Sequence, residues 1–330
     1  MTHVSSPQPV SSLAASPLFV GIDVAGDKLD LARSDSRQVL TVANDEKGIA
    51  QIVELLRPLR PALIVVEATG GLERPLVDAL LDADLPVAVV NPGNVRHLAL
   101  GLGILAKNDA IDANVLVEFA RHAQPRLAQK RSANQAELDA LVTCRRQLNG
   151  ARAQQSNRRG ATASRAALRS IDAILVAFDK QIESLDRQIR KLIESDDDFK
   201  DADRILRSAP GIGPVASSTL IGELNELGTT SRQRIGALAG VAPFDNDSGP
   251  RKGKRFIRGG RAHVRCVLYM ATLTAIRCNP VIMRFADRLK AAGKNAKVVI
   301  VACMRKFLVL LNAMLKENKT WDQLNVAKNA

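Results

Sequence analysis

The chain has 330 residues, enough for two or three domains that each bury their own core. Its 47 lysines and arginines exceed its 34 aspartates and glutamates, and the net charge of +13 indicates a polyanionic partner such as nucleic acid. Aromatic residues make up only 3% of the chain, which argues against base stacking as the main contact and favours contacts to a duplex backbone.

The cysteines and the apolar runs indicate where the protein works. The four cysteines are scattered without a CxxC pair, so they predict neither a zinc site nor disulfides and fit a reducing cytoplasm. Residues 1–17 are rich in Ser and Pro and lack the features of a signal peptide, so we expect a disordered tail. No run of eighteen apolar residues occurs, so no membrane span is expected.

Residues 18–130 have the pattern of an α/β domain. Short apolar runs predict strands at residues 18–22, 29–32, 39–42, 62–66 and 87–90. Helices are predicted near residues 47–56 and 72–83 and on either side of Lys107. Three meandering strands followed by alternating helix and strand are typical of an RNase H-like (RuvC-like) sheet, although the pattern alone also allows other α/β folds.

Residues 131–203 change to a helical pattern that predicts a coiled-coil region. Apolar residues alternate spacings of three and four along a heptad seam formed by Leu168, Ile171, Leu175, Phe178, Ile182, Leu185, Ile189 and Leu192. One long helix packed on its own domain would give the same pattern. A segment with Leu138, Leu141 and Leu148 is a candidate partner helix, with the turn at residues 156–160. Packing against another subunit fits equally well.

Residues 204–330 are predicted to form a mainly α domain. Residues 208–214, Ser-Ala-Pro-Gly-Ile-Gly-Pro, resemble a helix-hairpin-helix turn whose backbone amides face a phosphate, and a simple Pro-Gly helix connection explains them about as well. The apolar segments 267–277 and 298–315 are predicted core helices.

A serine within a glycine-rich and basic segment is the candidate nucleophile. Ser248 precedes a stretch, residues 251–265, with seven cations: Arg251, Lys252, Lys254, Arg255, Arg258, Arg261 and Arg265. Cations hold a polyanion and stabilise charge that develops on phosphorus, so a hydroxyl there suits attack on a phosphodiester. A solvated basic turn with a helix-capping serine is the alternative.

Four carboxylates are the candidate metal ligands. Asp23 closes the first predicted strand and Glu67 the fourth, and these strands lie side by side and parallel in an RNase H-like sheet. Asp109 and Asp112 are three residues apart, on one face of a helix. Four such carboxylates can hold two Mg²⁺ ions about 4 Å apart, as phosphoryl transfer requires.

Each carboxylate also has a structural explanation. Asp23 and Glu67 are alternatively strand-end residues, and Asp109 and Asp112 are alternatively a helix cap and a dipole partner. A charge that follows an apolar run of five residues is costly without a metal or a partner, which favours the metal interpretation for Asp23 and Glu67.

With these motifs in place, the sequence resembles the DEDD transposases of the insertion-sequence group that includes the Piv-type DNA invertases, now described as bridge-RNA-guided recombinases. The resemblance covers nearly the whole chain after the tail. Its motifs are Gly-Ile-Asp at Asp23, Glu-Ala-Thr-Gly at Glu67, Lys-Asn-Asp-Ala-Ile-Asp-Ala through Asp109 and Asp112, Pro-Gly-Ile-Gly, Ala-Gly-Val-Ala-Pro, and Ser-Gly at Ser248. The long tail is the one departure from the family pattern.

The resemblance implies a RuvC-like domain that binds Mg²⁺ and a C-terminal transposase domain whose serine forms a covalent phosphoserine bond to a DNA end. It also implies a structured noncoding guide RNA that pairs with donor and target double-stranded DNA. Homodimers and tetramers, in which the metal centre of one subunit meets the serine of another, are implied as well. We therefore predict a Mg²⁺-dependent recombinase whose best phosphate-binding candidates are Arg251, Lys252, Lys254 and Arg255.

Three other functions fit parts of the sequence. The first is a RuvC-like junction nuclease in which water attacks and Ser248 is structural. The second is a nucleic-acid-binding protein of actin-like ATPase ancestry, because a Gly-Ile-Asp strand also begins that fold, but the glycine-rich phosphate loops of that fold are not found. The third is a site-specific invertase that works without RNA.

Overall fold

The computed structural model describes residues 16–106, 108–247, 253 and 255–324. The chain divides into two compact units, an N-terminal unit, Met1–Arg131, and a C-terminal unit, Ser132–Ala330. The predicted tail falls almost wholly outside the described residues.

In the described part of the N-terminal unit, one mixed sheet has the strand order β3-β2-β1-β4-β5. The strands are β1 (Phe19–Val24), β2 (Lys28–Arg33), β3 (Leu40–Ala43), β4 (Leu63–Glu67) and β5 (Val87–Val90). The first three strands are antiparallel neighbours, whereas β4 runs parallel to both β1 and β5. This order and these directions confirm the predicted RNase H-like fold class.

Helices cover both faces of this sheet, which explains why β4 is a continuous apolar run. The covering helices are α1 (Glu46–Leu59), α2 (Arg74–Asp82), α3 (Pro92–Gly101) and α4 (Asp109–Ala123). Along β4, Ile64 and Val66 join the core cluster of α1 and α2, whereas Leu63 and Val65 join the cluster of α3 and α4. The alternation of a strand therefore sends every second side chain to the face of α3 and α4.

The C-terminal unit is mainly helical and includes a two-stranded ribbon whose residues are exposed or half-buried. Its elements are α5 (Ala133–Ala161), α6 (Arg165–Ser195), α7 (Asp197–Arg207), α8 (Pro214–Glu223), α9 (Arg232–Leu238), β6 (Pro243–Phe244), β7 (Phe256–Ile257), α10 (Ala262–Cys278), α11 (Pro280–Ala291) and α12 (Ala296–Glu317). The predicted core helices lie within α10 and α12, both of which bury apolar side chains.

The long helices α5 and α6 pack as a hairpin, and a regular series of ion pairs links them. Three arginines of α5 at steps of seven residues meet three aspartates of α6 at the same steps: Arg145 with Asp186 at 2.5 Å, Arg152 with Asp179 at 2.5 Å, and Arg159 with Asp172 at 2.6 Å. The predicted turn at residues 156–160 is wrong, because these residues continue α5 and Ser164 caps α6 instead. Supercoiling of the two helices stays a prediction.

The Pro-Gly segment between α7 and α8 packs into the C-terminal core. Ile212 is buried, and Asn279 Nδ2 donates to the Pro210 carbonyl at 3.3 Å. These contacts favour the structural explanation of this segment, a helix connection.

The helix α12 is long and apolar enough to be a candidate membrane span, and α10 with α11 passes the same test as one span bent by 91°. Half of the most apolar window of α12 is buried inside the C-terminal unit. A buried core helix passes this test as readily as a span does, so the expected absence of a membrane partner stays a prediction.

Candidate active site

The four predicted carboxylates line one cavity of about 500 Å³ in the N-terminal unit. One oxygen from each of Asp23, Asp109 and Asp112 lies within 4.8 Å of the other two. Glu67 and Arg96 line the same cavity. The structure therefore brings together all four residues that the strand ends and the helix spacing had singled out.

Strand alternation explains why Asp23 and Glu67 point to this cavity. Ile22 pairs with Val66 in the parallel β1–β4 register, so Asp23 and Glu67 follow at matching ends. Because Ile22 and Val66 belong to the opposite core cluster, the next residue of each strand faces α3 and α4.

The close approach of α4 to β1 brings the other two carboxylates to the same place. A Cβ atom on Gly21 would lie 2.3 Å from the Ala113 carbonyl oxygen, so only glycine allows this distance between helix and strand. Asn108 caps α4 by accepting a hydrogen bond from the Ile111 amide at 2.8 Å, and both aspartates fall in the first helical turn. The start of α4 therefore lies beside the end of β1.

The crowding of negative charge makes the cluster a good cation site. Burial raises the pKa of Asp23 above its ordinary value, and the neighbouring carboxylates of Asp112, Asp109 and Asp30 raise it further. The Val24 amide, which donates to Asp23 Oδ1 at 3.1 Å, opposes this increase. Carboxylate oxygens that converge and repel one another are the donor set that a hard divalent cation prefers, so these residues fit such a metal.

Two residues beside the cluster were missed in the sequence. Lys28 donates to Asp109 Oδ2 at 2.6 Å and lies 3.1 Å from Asp30 Oδ2. Asp30 is 4% exposed and directly opposite Asp23 in the β1–β2 register, and it accepts a hydrogen bond from Thr41. The signal in the sequence was a buried-strand pattern with charged residues at alternate positions, Lys-Leu-Asp-Leu.

A further missed residue, Glu73, organises the loop that follows Glu67. Its carboxylate accepts hydrogen bonds from the Thr69 amide at 3.1 Å, the Thr69 hydroxyl at 2.9 Å and the Gly71 amide at 2.8 Å. Burial acts to raise the pKa of Glu73, but the hydrogen bonds outweigh it and the pKa is lowered. The Glu-Ala-Thr-Gly motif is therefore fixed by a carboxylate six residues after Glu67.

The serine segment lies between the two strands of the C-terminal ribbon. β6 and β7 pair through Pro243 with Ile257 and Phe244 with Phe256. The nucleophile candidate and three of its predicted cations fall outside the described residues: Ser248, Arg251, Lys252 and Lys254. Within the described part, Asp247 accepts a hydrogen bond from the Gly253 amide at 2.8 Å.

The remaining predicted phosphate-binding residues all have protein partners. Arg255 forms an ion pair with Asp245, and the Arg258 guanidinium lies 5.9 Å from the centre of the Phe244 ring. Two further contacts hold the end of the segment: Arg261 binds Glu226 through two hydrogen bonds of 2.5 and 2.8 Å, and Arg265 donates to the Gly259 carbonyl at 2.7 Å. Their nucleic-acid contacts stay predictions.

Comparison with protein families decides the classification. A DEDD transposase model of IS110 matches residues 20–165, and a model described as transposase of the IS116/IS110/IS902 family matches residues 203–287, together well over half of the chain. This chain belongs to the IS110 family of transposases. The family resemblance seen in the sequence is confirmed, and this IS110-family protein is an enzyme that cuts and rejoins DNA.

Two curated relatives match the IS110-family chain along nearly its whole length. The pilin gene-inverting proteins of Moraxella bovis and Moraxella lacunata are each 26% identical over 322 residues, which cover 93% of this chain and 98% of theirs. An uncharacterized 42 kDa protein of insertion element IS900 from Mycobacterium paratuberculosis is 30% identical over 121 residues, 36% of this chain and 30% of its own length.

A solved structure of T. thermophilus RuvC in complex with a Holliday junction substrate is similar to part of the chain. It is 16% identical with a TM-score of 0.26, and the match covers 34% of this chain and 99% of that one.

Proposed function

We propose that this transposase is a Mg²⁺-dependent DNA recombinase whose nucleophile is Ser248. Its metal ligands are the four carboxylates of the cavity: Asp23, Glu67, Asp109 and Asp112. The observation that carries the proposal is the convergence of three carboxylate oxygens within 4.8 Å of one another, in a cavity that Glu67 also lines. A transposase needs a centre for phosphoryl transfer, and this cluster has the chemistry for it.

The proposed reaction replaces one phosphate ester by another. The Ser248 hydroxyl attacks phosphorus and loses its proton to water, while the bond from phosphorus to the leaving DNA oxygen breaks. The leaving oxygen takes a proton from water and becomes a DNA hydroxyl. A second DNA hydroxyl then attacks the phosphoserine, restores a DNA phosphodiester and releases the serine. No bond energy is lost in the exchange, so joining needs no ATP. Bound Mg²⁺ would activate the attacking oxygen and stabilise the leaving one.

The basic segment supplies the proposed contacts to the DNA backbone. Its cations would hold the phosphates during both steps, and the net charge of +13 supports a polyanionic partner of the chain as a whole. The ion pair of Arg261 with Glu226 and the hydrogen bond of Arg265 to Gly259 fit a second task, which is to fix the end of the segment.

The partners that we propose follow from the family resemblance. They are donor and target double-stranded DNA, a structured noncoding guide RNA, and further copies of the chain in dimers and tetramers, in the cytoplasm. We also propose a functional division into a metal domain at residues 18–130, a coiled-coil region at 131–203 and a transposase domain at 204–330.

A second candidate function is site-specific DNA inversion without RNA. It is favoured by the match along nearly the whole chain to two proteins named for the inversion of a pilin gene. A foldable noncoding segment in the DNA that flanks the gene would support the RNA-guided reaction, whereas its absence would favour inversion.

The metal centre is tested by Asp23→Asn and Glu67→Gln. Each change removes a ligand charge without changing core volume, so strand cleavage in Mg²⁺ should be lost while the protein still melts cooperatively in Mg²⁺-free buffer, at a temperature no lower than that of the wild type, and keeps most of its nucleic-acid affinity. Glu54→Gln, at an exposed position of α1, is the matched control. Near-normal cleavage by Asp23→Asn or Glu67→Gln would show that these carboxylates are ordinary strand ends.

A further inference from the structure

A lysine ammonium lies in direct contact with the carboxylate cluster. Lys28 Nζ is 2.6 Å from Asp109 Oδ2, and Asp109 is one of the three residues whose oxygens converge. A lysine side chain is charged at neutral pH, and the contacts with the Asp109 and Asp30 carboxylates favour that state. The side chain is 34% exposed, so it is partly buried against the protein and partly open to solvent.

The alternation of side chains along β2 places Lys28 on the same face of the sheet as Asp30. Lys28 and Asp30 are two residues apart on β2 and therefore share a face, and Asp30 lies directly opposite Asp23. That face is the one that α4 covers, because Ala32, the next residue in the series, packs with Ala113 and Val117.

Asp30 provides the buried anchor for the lysine. It is 4% exposed, and a carboxylate at such a position requires partners. The Thr41 hydroxyl from β3 supplies one partner, and Lys28 Nζ, at 3.1 Å, supplies the other. The ammonium is thus held from one side by the sheet and extends from there to Asp109 on α4.

We propose that Lys28 is a positioning residue of the metal centre, which holds Asp109 beside Asp23 and Asp112 and competes with a divalent cation for the Asp109 oxygen. The inference rests on the proposed metal centre and adds a residue that regulates its loading. It predicts two effects of opposite sign. Without metal, removal of the ammonium leaves the carboxylates to repel one another, which lowers the stability of the folded chain. With metal, the same removal eliminates a competitor for the Asp109 oxygen and a positive charge that repels the cation, which tightens metal binding.

The magnitude follows from the charges. A single positive charge a few ångströms from a divalent ion, in water-like surroundings, opposes the binding of that ion on the order of tenfold. We therefore expect Lys28→Met to bind Mn²⁺ about tenfold more tightly than the wild type and to melt at a lower temperature in a chelator. Lys28→Arg keeps the positive charge, so its Mn²⁺ affinity should stay closer to that of the wild type than to that of Lys28→Met.

The experiment uses the full chain, with Mn²⁺ affinity measured by calorimetry and melting measured in a chelator. Lys47→Met, at an exposed position of α1, is the control for loss of one lysine and should change neither value. Asp30→Asn should weaken Mn²⁺ binding, because it removes a negative charge and leaves Lys28 with Asp109 alone. Because this change should weaken Mn²⁺ binding whereas Lys28→Met should tighten it, Asp30→Asn still tests the proposal if Lys28→Met folds poorly.

The outcomes separate the two proposals. An Mn²⁺ affinity of Lys28→Met that equals or falls below that of the wild type would overturn the role of Lys28, and so would tighter binding by Asp30→Asn. A lysine that is only structural would lower the melting temperature and leave the affinity unchanged. Failure of the wild-type chain to bind Mn²⁺ or Mg²⁺ would instead refute the metal centre and the lysine's role together.

Discussion

Gly21→Ala tests whether the close approach of α4 to β1 builds the active site. The new Cβ would lie 2.3 Å from the Ala113 carbonyl oxygen and 2.7 Å from both the Leu116 Cβ and the Val117 amide nitrogen. Two of these three atoms are backbone atoms, so a rotamer change cannot relieve the contact and the helix must move by about 1 Å. Overpacking of this kind costs about 1–3 kcal/mol of unfolding free energy.

The same displacement moves Asp109 and Asp112 away from Asp23. A misplacement of about 1 Å at a catalytic centre can cost about 100-fold in rate, so we expect cleavage to fall by that order and Mn²⁺ affinity to fall with it. Urea unfolding, calorimetry and a cleavage assay measure the three effects.

The matched control is Gly26→Ala in the turn after β1. No described heavy atom lies within 4 Å of a Cβ at this position, so the stability and the Mn²⁺ affinity should stay near the wild-type values. If Gly21→Ala unfolds at the wild-type urea concentration and binds Mn²⁺ normally, the helix contact does not position the carboxylates and the reasoning is refuted.

Two further predictions concern charge. Because the pKa of Asp23 is raised in the folded protein, its ionisation lowers the stability of the fold as the pH rises through that raised value. Asp23→Asn should therefore raise the melting temperature in a chelator at neutral pH and lose this advantage in acid. An equal effect of the change at both pH values would contradict this. The other change replaces four proposed phosphate-binding cations by Ala: Arg251, Lys252, Lys254 and Arg255. It should lower the slope of log affinity against log salt by about 0.9 for each lost contact with duplex DNA. An unchanged slope would show that these residues form a solvated surface.

Local patterns were sufficient to locate the strands and the candidate carboxylates. Apolar runs marked the five strands, whereas their order came from the RNase H-like interpretation, because the runs alone also fit other α/β folds. Within that interpretation, Asp23 and Glu67 lie at the ends of strands that are parallel neighbours. Asp109 and Asp112 could be placed on one helix face from their spacing. These features depend on periodicity along the chain, which a sequence displays directly. The role of the carboxylates as metal ligands remains a prediction.

Features that depend on contacts between distant residues were not predictable. Lys28 and Asp109 are 81 residues apart, and Arg261 is 35 residues from Glu226, so no local pattern pairs them. The hairpin turn was misplaced for a related reason. A polar segment that contains Gly160 has the composition of a turn. In the structure its Arg159 forms an ion pair with Asp172 of α6, and α5 continues to Ala161.

The central claim is that Ser248 becomes covalently joined to DNA. Incubation of the protein with Mg²⁺, labelled substrate DNA and a candidate guide RNA, followed by denaturation, should give a protein–DNA adduct, because phosphoserine survives unfolding. The adduct should vanish in Ser248→Ala and persist in Ser156→Ala, a change at an exposed position of α5. Cleavage by Ser248→Ala at the wild-type rate, without an adduct in either protein, would contradict the account and leave a nuclease that uses water.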